Sequence, residues 1–285
     1  MKFFITGSNG QLGFDVVKEL KQREYNDICC PTRSELDITN KDKALEALLS
    51  YKPDVIIHCA AYTAVDKAEE EREMCYDINV NGTKYLVEGA KKIGAKFIYI
   101  STDYVFDGTK DEAYTEDDKT CPINYYGETK LLGEELVKEY NKGIIVRISW
   151  VFGINGGNFV KTMLRLAETK DEISVVSDQI GSPTYTKDLA RFLVDMSLSD
   201  KYGIYHATNM EYCSWYEFAK YIFEVNNIGV KVNQVMTKDY KTVASRPLNS
   251  RLSKEKLIKD GFEPLPNWKD AVRRYSKELK KEGNE

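Results

Sequence analysis

The first half of the chain alternates between two hydropathy rhythms. KFFIT, NDICC, DVIIHCAA, KFIYIS and GIIVRIS are short runs, apolar almost throughout, the pattern of strands buried on both faces. Between them LGFDVVKELKQRE, KDKALEALLSY, VNGTKYLVEGAKKIG and TKLLGEELVKEY place apolar residues three and four apart, the period of helices that lay one face on a core. Strands of that kind separated by helices predict a parallel sheet covered on both sides, the doubly wound α/β (Rossmann) architecture. From Trp150 the rhythm loosens. Helices near NFVKTMLRLAETK, TKDLARFLVDMSL and WYEFAKYIFEV are separated by short strands and by loops holding SPT and SRP. The expected division is a first domain over residues 1–149 and a smaller one over 150–285, with one strand crossing back to the first. Only the tail YSKELKKEGNE reads as frayed.

Composition narrows the classes. With 285 residues, 42% of them apolar and only seven prolines, the chain can bury the cores of two modest domains without staples. A net charge of -4 and the absence of a basic cluster with interleaved aromatics argue against a nucleic-acid partner. The apolar run VIIHCAAY is far short of a membrane span, and the strand-like start leaves no room for a signal peptide, so a cytoplasmic protein off the membrane is expected. The six cysteines show neither CxxC nor ligand spacing and read as reduced thiols. His58 and His206 fall in strand-like runs and read as structural.

Gly7, Gly10 and Gly13 fall three apart where the first strand gives way to the first helix, with Gln11 and Leu12 inside the same turn. That context suits a dinucleotide. Free helix amides and the positive dipole end face the pyrophosphate, and missing side chains let it approach. The first domain therefore reads as dinucleotide-binding. The second strand ends in PTRSELDI, without the acid that NAD binders place at the ribose. Arg33 stands where a 2'-phosphate would be met, so NADPH is the expected cofactor, with NADH as the second choice. Ala61, Tyr62 and Thr63 follow the strand DVIIHCAA where a dinucleotide would cross the sheet, and Ile100 lies in the strand KFIYIS.

Tyr126 and Lys130 form YxxxK in YYGETK. They open a helix after the turn CPIN and the strand end ISTDYVF, and i and i+4 share a helix face, so the ammonium can lie beside the phenol. A nearby cation lowers a phenol pKa from about 10 toward working pH, which suits a general acid for a carbonyl oxygen receiving hydride at carbon. The second such pair, Tyr216 and Lys220, lies in an amphipathic helix with no strand-end hydroxyl upstream and reads as packing. Ser101, Thr102 and Asp103 end a strand, where doubly wound sheets place their ligands; Thr102 can hydrogen-bond the same carbonyl oxygen.

TGSNGQLG resembles the TGxxGxxG turn of short-chain dehydrogenase/reductases, in whose terms Asp37 and Ile38 resemble the pair bordering adenine and Asn79 the active-site asparagine. Taken with AAYTAVDKAE, STDYVFDG, YGETKLLGE, RISWVFG, NFVKTMLRLA, DQIGSPT and SRPLNSRL, the chain from residue 1 to about 269 resembles the dTDP-4-dehydrorhamnose reductase family of extended short-chain reductases. The resemblance implies NADPH-dependent reduction of the C4 carbonyl of dTDP-6-deoxy-L-lyxo-4-hexulose to dTDP-L-rhamnose, for cell-surface polysaccharide. It implies Tyr126 as proton donor, Lys130 lowering its pKa and holding the cofactor ribose, Thr102 and Asp103 at the sugar, and Trp150 bordering the sugar nucleotide. Arg246, in SRP, has the guanidinium fork that suits a diphosphate. Some members of the family hold Mg2+ with acids contributed across a dimer. Only Asp15 has a counterpart here and Lys187 stands near where a second acid is wanted, so no metal is expected and a homodimer stays open. Two rival readings share the fold: a non-catalytic regulatory subunit of the methionine adenosyltransferase type, and a sugar-nucleotide epimerase or dehydratase. Dehydratases usually carry an acid pair after the strand-end hydroxyl, whereas Thr102 is followed by Asp103 and then Tyr104.

Overall fold

The structure is a computed structural model that describes residues 1–282. Strands β1 (Phe3–Thr6), β2 (Ile28–Cys29), β3 (Val55–His58), β4 (Lys96–Thr102) and β5 (Gly143–Ile148) join a later strand, Gly203–His206, in one six-stranded sheet. From one edge the order is Gly203–His206, β5, β4, β3, β1, β2, every pairing parallel. The order reverses beside β1, which sets a crevice at the carboxyl ends of β1, β3 and β4. Alternate residues of each strand point to opposite faces. Phe3 and Ile5 pack against one helical layer, α1 (Gln11–Gln22), and Phe4 against another, formed by α2 (Lys41–Tyr51) and α5 (Thr83–Ile93). Between those two lie the short helices α3 (Val65–Ala68) and α4 (Arg72–Tyr76) and the wider turn Asp77–Gly82. Helix α6 (Tyr125–Lys138) follows β4 and starts from Asn124, whose side chain accepts from the Gly127 amide, satisfying one of the amides a helix start leaves free.

Beyond β5 come α7 (Phe159–Ala167), α8 (Thr186–Leu198), α9 (Trp215–Asn226), α10 (Glu255–Lys259) and α11 (Trp268–Glu282). Phe152, Val160, Phe218, Trp268 and Tyr275 gather into a second core of their own. Helix α8 does not join it. Its Leu189, Phe192 and Leu193 pack with Val16 and Leu20 of α1, and the strand that follows it, Gly203–His206, pairs with β5.

The chain past Trp150 is therefore shared between two cores. The tail differs from its reading as well: α11 continues through Glu282 and buries Ala271, Val272 and Tyr275, because its apolar stripe repeats at helical spacing among many lysines and glutamates. The last three residues lie outside the described ones. Strand NDICC shortens to two paired residues at the sheet edge. Both histidines are buried, and His58 is held between the hydroxyls of Thr6 (2.7 Å) and Thr83 (3.0 Å). Among the described residues no helix is long and apolar enough to cross a membrane.

Candidate active site

The crevice is built first by glycine. Gly7 turns the chain with φ +68°, and a Cβ there would fall 2.6 Å from the Ala60 nitrogen; one on Gly13 would fall 2.3 Å from the Gly7 carbonyl oxygen. Only a chain without side chains at these points lets the ends of β1 and β3 meet the start of α1. The turn faces a cleft of about 470 Å³. Gly7, Gly10, Gln11, Leu12 and Gly13 line it together with Thr102, Asp103, Tyr126, Lys130 and Trp150, and with Ala61, Thr63 and Ile100. A smaller cavity of about 230 Å³ shares Gly7, Gly10 and Ala61 with the cleft and adds Arg33, Asp37 and Ile38. Residues separated by more than a hundred positions in sequence thus line one cleft.

Three of the expected residues are engaged by the protein itself, Arg246 reaching the cleft-lining Tyr104 as well as Asp66. Asn79 lines neither cavity: its Oδ1 accepts from the Tyr62 amide (2.8 Å) and its Nδ2 donates to the Thr129 hydroxyl (3.0 Å), so it ties the segment after β3 to α6. Tyr62 turns its hydroxyl to Glu71 (2.6 Å) and lines neither cavity. Arg246 forms a two-pronged pair with Asp66 of α3, Nη1–Oδ1 3.1 Å and Nη2–Oδ2 2.6 Å, and borders a separate cavity beside Asp107 and Arg251. No local pattern pairs Asp66 with SRP, yet it holds the Arg246 fork in this structure.

Aromatic residues complete the wall. Trp150, at φ +49°, stacks on Trp215 with ring centroids 3.8 Å apart, and Tyr104 meets Tyr126 edge-on. Trp215, Tyr104 and Phe159 all line the cleft. Sequence reasoning assigned the neighbouring pair Tyr216 and Lys220 to packing and gave Trp215 no role. Its cleft role depends on long-range pairing of Cys213–Ser214 with Ile180–Gly181, for which no local pattern speaks. Tyr216 and Lys220 line a different cavity, with the ammonium 5.4 Å from the ring.

Electrostatics at the site follow burial. Tyr126 is pushed well above the usual phenol range, first by desolvation and then by neighbouring Asp103, with the Thr102 hydroxyl pulling the other way. Lys130 is pushed down to about 7 by burial, opposed most by Glu134. The spacing led to the expectation of an ammonium that lowers the phenol; in this structure burial is the largest influence on Tyr126 and holds it protonated. Asp103 rises to about 6 through burial, partly offset by the hydroxyls of Ser250 and Thr102. In the smaller cavity Asp37 is held below the usual carboxylate range by Thr39, so an acid does share the pocket with Arg33. Asp15 is buried and accepts from the Thr186 hydroxyl, while Lys18 and Lys187 both reach Glu278 (3.5 and 3.6 Å). No cluster of three or more potential ligands for a metal occurs among the described residues.

Sheet order, glycine turn and a tyrosine–lysine–threonine set on one cleft define a dinucleotide-fold protein of the short-chain reductase kind. The chain belongs to the family described as RmlD substrate binding domain, whose model matches residues 1–281. It is similar to the spore coat polysaccharide biosynthesis protein SpsK of Bacillus subtilis, 42% identical over 97% of each chain. It is likewise similar to the dTDP-4-dehydrorhamnose reductase of Aggregatibacter actinomycetemcomitans, 43% identical over 95% of this chain and 97% of that one. Among solved structures, the dTDP-4-dehydrorhamnose reductase of Bacillus anthracis in complex with NADP superposes with a TM-score of 0.94 at 45% identity, covering 98% of this chain and 100% of that one.

Proposed function

We propose that the protein is an NADPH-dependent dTDP-4-dehydrorhamnose reductase, converting dTDP-6-deoxy-L-lyxo-4-hexulose to dTDP-L-rhamnose. The observation that carries the reading is that Thr102, Tyr126 and Lys130 line the same cleft as the glycine turn. The named relatives point the same way. The glycine cradle fits a dinucleotide: backbone closes tightly on Gly7 and Gly13, so the turn presents main chain to the cleft, and Gly10 starts α1 with no side-chain cap on the free amides, ready for a pyrophosphate. Arg33 and Asp37 would frame the adenosine end, and Lys130 the ribose next to the reacting ring.

When bound, the cofactor supplies a hydride to C4 of the sugar. Tyr126, kept protonated by burial, gives its phenolic proton to the carbonyl oxygen as charge develops there. Thr102 turns its hydroxyl from Asp103, where Oγ1–Oδ1 is 3.0 Å, to the same oxygen. The Lys130 ammonium stabilises the phenolate left behind, a charge that forms only during the reaction and is therefore worth most there. The test is NADPH absorbance with purified protein and freshly made dTDP-4-keto-6-deoxy sugar. A fall that needs both components supports the reading, and no fall with correctly folded protein overturns it.

A further inference from the structure

Beneath the cleft lies a charged cluster that the proposed chemistry does not use. Glu134, fully buried on α6, receives two hydrogen bonds from Arg147 of β5, Nε–Oε1 at 2.8 Å and Nη2–Oε2 at 2.7 Å, and a third from Ser101 of β4 at 2.6 Å. Arg147 is itself buried, its guanidinium over the Phe106 ring and 3.4 Å from His206. A buried ion pair is a poor investment in stability, because desolvation offsets the attraction. Its position accounts for it: Glu134 lies four residues after Lys130, on the same face of α6, and Ser101 precedes Thr102. We propose that Glu134 is a positioning residue that keeps Lys130 in its ammonium form and aligns α6 with the strand end that carries Thr102.

The groups facing Lys130 leave no other source for that role. From β4 comes the Tyr99 ring, 4.0 Å from Nζ. From α4 and the segment after β3 come Cys75 and Cys59, both with thiols pushed up by burial and so neutral. His58 of β3 is pushed down to about 3 and is neutral too. Burial alone drives the lysine toward its neutral form, and Glu134 opposes it most. Bidentate Arg147 and the Ser101 hydroxyl in turn hold the Glu134 carboxylate in place, with the part-exposed Lys138 ammonium 4.0 Å from Oε2. Without Glu134, two cations remain in one buried space.

This inference rests on the reductase reading for its kinetic arm only. The experiment compares wild type with Glu134→Gln, Glu134→Asp and the double variant Glu134→Gln/Arg147→Met, which leaves no unpaired guanidinium and so guards against simple misfolding. Two quantities are followed from pH 5.5 to 9: kcat for the keto sugar, and the dissociation constant of NADPH by fluorescence. In Glu134→Gln and the double variant, the alkaline limb of both profiles is expected to move toward acid by about one pH unit or more, so that the loss is largest at pH 8 and shrinks at pH 6. Glu134→Asp should restore most of the limb. A loss of equal size at every pH, or an unmoved limb in the folded variants, overturns the proposal. If the sugar is not reduced at all, the reductase reading fails, while the NADPH limb still decides for or against Glu134.

Discussion

At the scale of single residues, Tyr126 and Arg33 carry the sharpest expectations. Tyr126→Phe keeps the ring that packs on Tyr104 and removes only the hydroxyl, and with it the proton to be given, so fold and NADPH affinity should stay while kcat drops by a factor of about 10² to 10⁴; steady-state kinetics with fluorescence titration of cofactor check both halves. Tyr216→Phe, in its separate cavity, should leave kcat unchanged. Arg33 is exposed and shares its cavity with Asp37. A charge-assisted contact to a 2'-phosphate is worth about 1.5 to 3 kcal/mol, and solvation together with Asp37 reduces it. Arg33→Ala should therefore lower kcat/KM for NADPH about threefold to tenfold and leave NADH nearly untouched; equal losses for the two cofactors would show that Arg33 does not read the phosphate. Tyr126, Lys130 and Thr102 were legible because helix spacing and a strand end are local features. The rise of Asp103 and the fall of Lys130 were not, since both come from burial by elements far away in sequence.

Between elements, the contact that most changes the reading is Asp66 with Arg246. It joins α3 to the loop before α10, and Asp66 Oδ1 also accepts from the Ala244 amide (3.0 Å). On the other side of that loop Asn124, the cap of α6, donates to the Ser245 carbonyl (2.8 Å). The loop is thus tied both to the helix that carries Tyr126 and to the rim of the cleft. Asp66 separates two roles for the arginine. If Arg246 meets the diphosphate, Arg246→Ala raises KM for the sugar nucleotide far more than for NADPH, and Asp66→Ala, which frees the fork, leaves KM unchanged or lower. If the pair only pins the loop, both variants harm KM alike, and Arg246 has no direct part in binding. The element boundaries themselves were largely open to sequence reasoning where an apolar period ran unbroken: KDKALEALLSY, capped by Asn40, and TKDLARFLVDMSL are α2 and α8 residue for residue. They were not where tertiary pairing decides. The wide turn Asp77–Gly82 precedes α5 without a local signal, and α11 hides its apolar stripe among charges.

For the whole molecule, alternating strand and helix patterns were enough for the doubly wound sheet; the division at Trp150 allowed for one strand crossing back, and Gly203–His206 does so, but α8 packs on the first core as well, which its apolar face does not announce. Burial on this scale also sets how stability depends on pH, and Lys254 is the clearest case. It is 5% exposed, donates to the Ser182 hydroxyl at 3.1 Å and lies 4.2 Å from the Tyr212 ring centroid. Burial pushes its pKa down to about 7, against about 10.4 in an unfolded chain. Because the folded value is the lower one, the unfolded state binds the proton more tightly, and protonation favours unfolding. The penalty is absent above about pH 10.4, grows as pH falls toward 7 and levels off below it. Lys254→Met keeps the apolar stem and discards the charge, so it should stabilise the protein at pH 7 on the order of 2 kcal/mol, part of the gain being offset by lost contacts with Ser182 and Tyr212. The gain should shrink steadily toward pH 10. Thermal unfolding of both proteins at pH 6, 7, 8, 9 and 10 measures it: a gap in Tm that stays constant with pH, or a variant less stable at pH 7, would mean that the ammonium is better accommodated than its burial implies.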